Sequence, residues 1–204
     1  MNDKYTFLLV ALFLFSGIIN AQNSDIQFIR DSYNSAQENI NYQLNEEIPQ
    51  DNMKITVNQN IAAIGPQTIE YTYYFDYVFL DEPTYEYTHK LYFATRSYNV
   101  AASLFSYEEF LYNENGELIF YFLRENSAYS ELDFEIRLYY KQNQLIKVIA
   151  KELKEAGDPE NSDDYVKTFE AKNDVPEYFE DRINTIINLG KSIKDIYLKV
   201  DGSF

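Results

Sequence analysis

The sequence predicts an α+β protein with an N-terminal helix, an antiparallel β-meander of six or seven strands, and a C-terminal helix. Three observations indicate this class. Apolar residues recur at helical spacing near both ends of the chain, apolar and polar residues alternate through the middle, and a hairpin pattern occurs twice between residues 107 and 152. Consecutive alternating runs joined by short polar connections favour an antiparallel meander. We expect both helices to pack on one face of the sheet.

The first 21 residues have the pattern of a secretory signal peptide. A charged start, Asn2-Asp3-Lys4, precedes an apolar run from Phe7 to Phe15, and the small residue Ala21 closes the segment. The run is shorter than the ~20 residues that span a bilayer. We therefore expect export, periplasmic or secreted, with cleavage before Gln22. The remainder, residues 22–204, is expected to form a single α+β domain with no transmembrane segment.

The composition restricts the classes of partner and of stabilising interaction. The chain has 33 acidic and 17 basic residues, which give a net charge of −16. Such a charge disfavours nucleic acid and anionic membrane surfaces as partners. There is no cysteine, so disulfides and cysteine metal sites are excluded, while 20 Tyr and 15 Phe supply material for a packed core.

Capping signals and apolar stripes delimit the two predicted helices. The first helix is predicted from Ser24 to about Tyr42, because Ser24 and Gln27 have capping-box spacing and a polar segment follows. The second is predicted from about Pro176 to Val200, since proline suits the first helical turn. Its stripe includes Gly190, which indicates either close packing or a kink.

Strict alternation predicts strands over residues 53–58, 68–80, 85–97 and 101–112, and a short strand over 165–169. The tandem hairpin begins within the strand over residues 101–112 and ends before the short strand over 165–169. A shift of 27 positions places Leu111-Tyr112 on Leu138-Tyr139, and Leu118-Ile119 on Leu145-Ile146. Both copies are therefore predicted to have the same structure.

Each copy of the hairpin has a polar turn between two alternating runs. Asn115-Gly116 predicts a two-residue type I′ turn, in which both residues have positive φ, and Gln142-Asn143 takes its place in the second copy. The predicted cross-strand pairs are Tyr112 with Ile119, Phe110 with Tyr121, Leu111 with Phe120, Tyr139 with Ile146, Ile136 with Ile149, and Tyr140 with Leu145.

The second copy contains the pattern E-x-R-x-Y-Y-x-x-N-x-L-I. Its residues here are Glu135, Arg137, Tyr139, Tyr140, Asn143, Leu145 and Ile146. With a helix before and after, the chain resembles an uncharacterised family of exported bacterial α+β proteins with tandem hairpins of this pattern. The resemblance covers most of the mature chain and implies no catalytic residues. This sequence departs from the family pattern by lacking glycine in the second turn.

Catalytic and cofactor motifs are absent from the sequence. There is no nucleophile elbow, phosphate-binding loop or dinucleotide fingerprint, so we expect no cofactor and assign no catalytic residue. His89 is the single histidine and lies within a predicted strand, where a packed ring is more common than a catalytic one. Glu108 and Glu109 are neighbours on a strand, so they point to opposite faces and form no natural acid–base pair.

The acidic segment from Glu155 to Asp164 offers oxygen ligands for a hard cation such as Ca²⁺. Asp158, Glu160 and Asp163 are the candidate ligands, although their spacing does not match an EF-hand loop. The alternative is a solvated acidic turn.

Tyrosines on the predicted strands suggest a binding surface. Tyr112, Tyr121 and Tyr139 are predicted to share an uncovered sheet face, and exposed aromatic residues are common where proteins bind proteins or sugars. The leading hypothesis is an exported, non-enzymatic binding module for an unknown protein or peptide partner at the cell envelope. The alternatives are a carboxylate-dependent hydrolase and a carbohydrate-binding module. Two converging carboxylates in a pocket would favour the hydrolase, and a broad, open aromatic face would favour binding.

Overall fold

A computed structural model describes residues 3–45, 52–81, 86–101, 104–127, 133–153, 165–171 and 177–201. The elements are α1 (Asp3–Asn45), β1 (Asn52–Ile61), β2 (Gly65–Asp81), β3 (Glu86–Val100), β4 (Leu104–Tyr112), β5 (Leu118–Ser127), β6 (Phe134–Lys141), β7 (Gln144–Leu153), β8 (Tyr165–Ala171) and α2 (Glu177–Asp201). The strands form one antiparallel sheet in sequence order. The predicted α+β meander is confirmed, with eight strands rather than six or seven.

The two helices differ in how well their bounds were predicted. α2 begins one residue after Pro176 and ends one residue after Val200, as its capping and stripe predicted. α1 begins at Asp3 in the full chain and so runs through the predicted leader, whereas the helix of the mature chain was predicted from Ser24. Residues 3–23 contain no proline and one glycine, and nothing in them interrupts a helix. Among the described residues, no helix combines the length and the apolarity needed to cross a membrane.

The helices pack on opposite faces of the sheet, which corrects the prediction that they share one face. Ile26, Ile29, Ala36 and Ile40 of α1 belong to one buried cluster, and Ile186, Ile193 and Tyr197 of α2 belong to another. Neighbouring strand residues divide between them: Leu111 and Phe120 pack with α1, while Phe110 and Tyr121 pack with α2. The central strands are apolar on both faces, so each face needs a cover.

The first hairpin turn differs from its prediction. Its loop comprises Glu114, Asn115 and Gly116, because Asn113 N donates to Glu117 O at 2.9 Å and Gly116 N donates to Asn113 O at 2.9 Å. Gly116 alone has a positive φ in this loop, at 71°. The Asn113 side chain accepts bonds from the N–H groups of Asn115 and Glu117, both at 2.9 Å. This side chain stabilises a three-residue loop, and the predicted type I′ turn at Asn115-Gly116 is wrong.

The second hairpin has the predicted two-residue turn. Gln142 and Asn143 have φ values of 51° and 59°, and Lys141 pairs directly with Gln144. Positive φ at both central residues is the type I′ geometry. Asparagine is tolerated in this region, so Asn143 adopts it without glycine.

A bulge follows each turn at equivalent positions of the repeat. Tyr112 pairs with Leu118 and Leu111 with Phe120, so Ile119 is the extra residue; Ile146 is the extra residue in the second copy. The predicted pairs of Phe110 with Tyr121, Leu111 with Phe120, and Tyr140 with Leu145 are confirmed. Those of Tyr112 with Ile119, Tyr139 with Ile146, and Ile136 with Ile149 are wrong, because a bulge moves the alternation by one residue.

Gly190 is a close-packing point between α2 and the sheet. A Cβ atom there would lie 3.0 Å from Leu118 Cδ2, and the Gly190 carbonyl accepts a 2.8 Å bond from the Tyr112 hydroxyl. The absent side chain therefore lets α2 approach β4 and β5 closely.

Candidate functional site

The three tyrosines predicted to form an exposed face are buried. Tyr112, Tyr121 and Tyr139 retain 5%, 1% and 4% of their exposure. Tyr112 and Tyr121 pack in the α2 cluster, and Tyr139 packs in the α1 cluster. The predicted exposure on a single face is therefore wrong, because helices cover both faces.

The other candidate residues from the sequence are the possible calcium ligands and the single histidine. Asp158, Glu160 and Asp163 lie outside the described residues. Within the described ranges, no group of three or more His, Asp or Glu side chains is placed to hold a metal ion. The His89 ring packs 4.7 Å from the Phe75 ring and 4.7 Å from the Tyr77 ring, which matches the packed histidine expected there.

Glu108 and Glu109 point to opposite faces, as alternation predicts. Glu108 forms an ion pair with Arg96 and accepts a 3.0 Å bond from the Tyr121 hydroxyl on the α2 side. Glu109 accepts a 2.7 Å bond from Tyr33 of α1. The pair is thus no dyad, and Glu109 belongs to a separate site.

A cavity of about 480 Å³ lies between α1 and the sheet. We call it the α1 cavity. Its walls combine apolar and aromatic side chains with three arginines and one carboxylate; they are Ile29, Arg30, Tyr33, Asn34, Tyr107, Glu109, Phe120, Phe122, Arg124, Arg137, Tyr139 and Ile149. A volume in this range, with apolar and aromatic walls and convergent polar groups, is typical of small-molecule sites.

The strand register brings the polar groups of the α1 cavity together. Tyr107 on β4 pairs with Arg124 on β5, and Glu109 pairs with Phe122, which in turn pairs with Arg137 on β6. Residues two apart on a strand share a face, so these side chains all point towards α1. The cavity floor is therefore formed by three consecutive central strands.

Glu109 is the carboxylate of the cavity and is 6% exposed. Its carboxylate accepts hydrogen bonds from the hydroxyls of Tyr33, at 2.7 Å, and Tyr107, at 3.1 Å. Burial raises the pKa of Glu109, and the two tyrosine bonds offset part of that rise. Burial and the Glu109 carboxylate raise the pKa of Tyr33 and Tyr107, so both hydroxyls remain protonated donors at neutral pH.

Two of the three arginines are positioned by a buried carboxylate beside the cavity. Glu135 is fully buried; Arg124 contacts its Oε1 through Nε at 3.1 Å and Nη2 at 2.6 Å. Arg137 donates to Oε2 at 3.3 Å. Both guanidinium groups also lie over the Phe122 ring, at 5.7 and 5.6 Å. A carboxylate and an aromatic face thus hold these cations in place.

Arg30 of α1 completes the cationic group. Its side chain is exposed, and its guanidinium lies 6.0 Å from the centre of the Tyr139 ring. Within the described chain it forms no hydrogen bond and no ion pair. Three arginines therefore line one cavity of a chain whose net charge is −16.

No family model, curated protein or solved structure matches the chain. The resemblance to exported proteins with tandem hairpins stays a prediction, and the site rests on its own geometry.

The α1 cavity was not predicted from the sequence. Tyr33 and Glu109 are 76 positions apart, and no local pattern relates them. One sequence signal was available, the alternation of side chains between the two faces of a strand. Once the register is known, it places Arg124, Glu135 and Arg137 on the same face of the sheet.

Proposed function

We propose that this protein is an exported, non-enzymatic binding protein whose ligand site is the α1 cavity. The observation that carries the proposal is the cavity itself: about 480 Å³ of space, with aromatic walls and three arginines, within an acidic protein. Its size accommodates a small molecule or the end of a peptide, which agrees with the predicted protein or peptide partner. The leader-like pattern of residues 1–21 supports export.

The character of the walls favours binding over a hydrolase. A hydrolase with two carboxylates needs both at the reacting bond, whereas Glu109 is the sole carboxylate among the described residues that line the cavity. The tyrosine face that suggested a protein or sugar surface is buried, so the proposal of binding rests on the α1 cavity instead.

A single tryptophan at the cavity rim tests the proposal, because the chain contains no tryptophan. Asn34 lines the cavity and is exposed, so Asn34→Trp costs no core packing. We expect its emission to shift and saturate with a subset of a library of neutral, cationic and anionic fragments and short peptides.

Phe28→Trp is the matched control. Phe28 is an exposed aromatic residue of the same helix, at 61% exposure, and does not line the cavity. Its emission should not respond to the same compounds. A silent Asn34→Trp reporter, or equal responses from both variants, contradicts a ligand site in the α1 cavity.

A further inference from the structure

The arginines of the α1 cavity differ in the donors they have left for a ligand. Arg124 is held by two contacts to one oxygen of Glu135. Arg137 donates one long bond to Glu135, and Arg30 donates none within the described chain. A guanidinium carries five N–H donors in a planar fork that matches a carboxylate. Arg30 and Arg137 therefore offer unused donors from opposite walls, one on the helix and one on the sheet.

One part of the cavity wall is apolar and aromatic. Ile29 from α1, Phe120 and Phe122 from β5, and Ile149 from β7 form its walls beside the arginines. A ligand that fills this space exposes apolar surface to these side chains and needs charge only at one end. Removing such surface from water on binding favours the complex.

We infer that the α1 cavity takes a ligand with one carboxylate on an apolar body, its carboxylate bound by Arg30 and Arg137. This inference rests on the proposed function and adds the chemical class of the ligand. The body lies against Phe120, Phe122 and Ile149. A dianion such as a phosphate monoester fits less well, because the Glu109 carboxylate in the same wall repels a second negative charge.

Proton uptake by Glu109 accompanies the binding of such an anion. A negative charge placed in the cavity disfavours the ionised form of Glu109, whose pKa is already raised by burial. Binding therefore takes up a proton, and affinity rises as pH falls while the ligand carboxylate stays ionised.

The groups that surround Glu109 do not reverse this sign. From β3 its ladder partner is Thr95, which does not titrate. Burial and the Glu109 charge raise the pKa values of Tyr33, Tyr74 and Tyr107, so these three hydroxyls stay protonated near neutral pH. The charged and titratable neighbours, by element, are Arg30 and Tyr33 of α1, Tyr74 of β2, Tyr107 of β4, Arg124 of β5, and Arg137, Glu135 and Tyr139 of β6.

The carboxylate has two possible sources, a free carboxylic acid and the C-terminus of a peptide with an apolar last residue. Hydrocinnamate and its uncharged amide, hydrocinnamide, represent the first. N-acetyl-glycyl-phenylalanine and its C-terminal amide represent the second. Phenethyl phosphate carries a similar body on a dianion. Titration of each into the Asn34→Trp protein measures a dissociation constant.

We expect a carboxylate to bind at least about tenfold more tightly than its own amide, the contribution typical of one charge-assisted hydrogen bond. The arm with the larger ratio identifies the source. Affinity for the carboxylate should rise as pH falls while the ligand stays ionised, by no more than about tenfold per pH unit, since one proton is taken up. Glu109→Gln should flatten that profile.

Arg30→Gln separates recognition from folding, because Arg30 is exposed and makes no polar contact within the described chain. We expect this change to weaken binding of the carboxylate on the order of tenfold and to leave the amide unchanged. Lys191→Gln makes the same change of charge on an exposed side chain of α2 and should leave both unchanged.

The outcomes are distinct for the two proposals. Equal affinity for carboxylate and amide, tighter binding of the phosphate, or full affinity in Arg30→Gln overturns the inference and leaves the proposed function intact. No response from any of the five probes or the fragment library overturns the proposed function and the inference with it.

Discussion

Replacing Tyr112, Tyr121 and Tyr139 together with Ser is expected to abolish folding. Each side chain is at least 95% buried, and truncation of a buried aromatic residue costs about 3–5 kcal/mol. Three such losses approach or exceed the ~5–15 kcal/mol that stabilises a typical domain. The two serines on the α2 side would also leave Gly190 O and Glu108 without their hydroxyl donors. Near-ultraviolet circular dichroism should show no fixed aromatic packing.

The single variants Tyr121→Ser and Tyr42→Ser provide the control. Tyr42 is 58% exposed, so its loss should change the free energy of unfolding by less than about 0.5 kcal/mol. Tyr121→Ser alone should reduce it by several times that amount. A triple variant that melts like the parent would place the three tyrosines on an open surface after all.

Glu135→Ala is expected to lower the free energy of unfolding by about 3–5 kcal/mol, the range for removing one partner of a buried ion pair. Glu135 is fully buried between three cations: it contacts Arg124 on one neighbouring strand, Lys151 on the other at 3.9 Å, and Arg137 on its own strand. Without the carboxylate these cations repel one another beneath α1. Urea unfolding measures the change.

Glu114→Ala makes the same chemical change at an exposed position of the first turn. It should alter the free energy of unfolding by less than about 0.5 kcal/mol. Equal effects of the two substitutions would mean that Glu135 does not neutralise the cationic group that supports the α1 cavity.

The sequence predicted the elements well and the faces poorly. Alternation and capping located the meander and the ends of α2, because these depend on neighbouring residues. The bulges at Ile119 and Ile146 moved the alternation by one residue, and this step is invisible until the strand partners are known. Tyrosine occurs both in cores and on surfaces, so its type does not predict whether it is buried. The burial of these tyrosines depends on which sheet faces the helices cover, and one helix covers each face.

The candidate site could not be predicted from the sequence for a different reason. The α1 cavity needs one helix, four strands and contacts such as that between Tyr33 and Glu109, which are distant in sequence. Arg137 and Glu135 were noted only as parts of a structural pattern. Their role as supports of a cationic cavity depends on Arg124, which the register of β5 and β6 places opposite Glu135.

Methyl NMR of isoleucine-labelled protein, titrated with hydrocinnamate, tests the central claim most directly. Ile29 and Ile149 line the α1 cavity, whereas Ile186 and Ile193 are buried on the opposite face beneath α2. The methyl groups of these four isoleucines therefore report on both faces of the sheet in one unmodified protein. Saturable shifts at Ile29 and Ile149, with Ile186 and Ile193 unmoved, are the predicted result. Shifts centred on Ile186 and Ile193 would contradict a ligand site in the α1 cavity, as would the absence of shifts at all four isoleucines with both hydrocinnamate and N-acetyl-glycyl-phenylalanine.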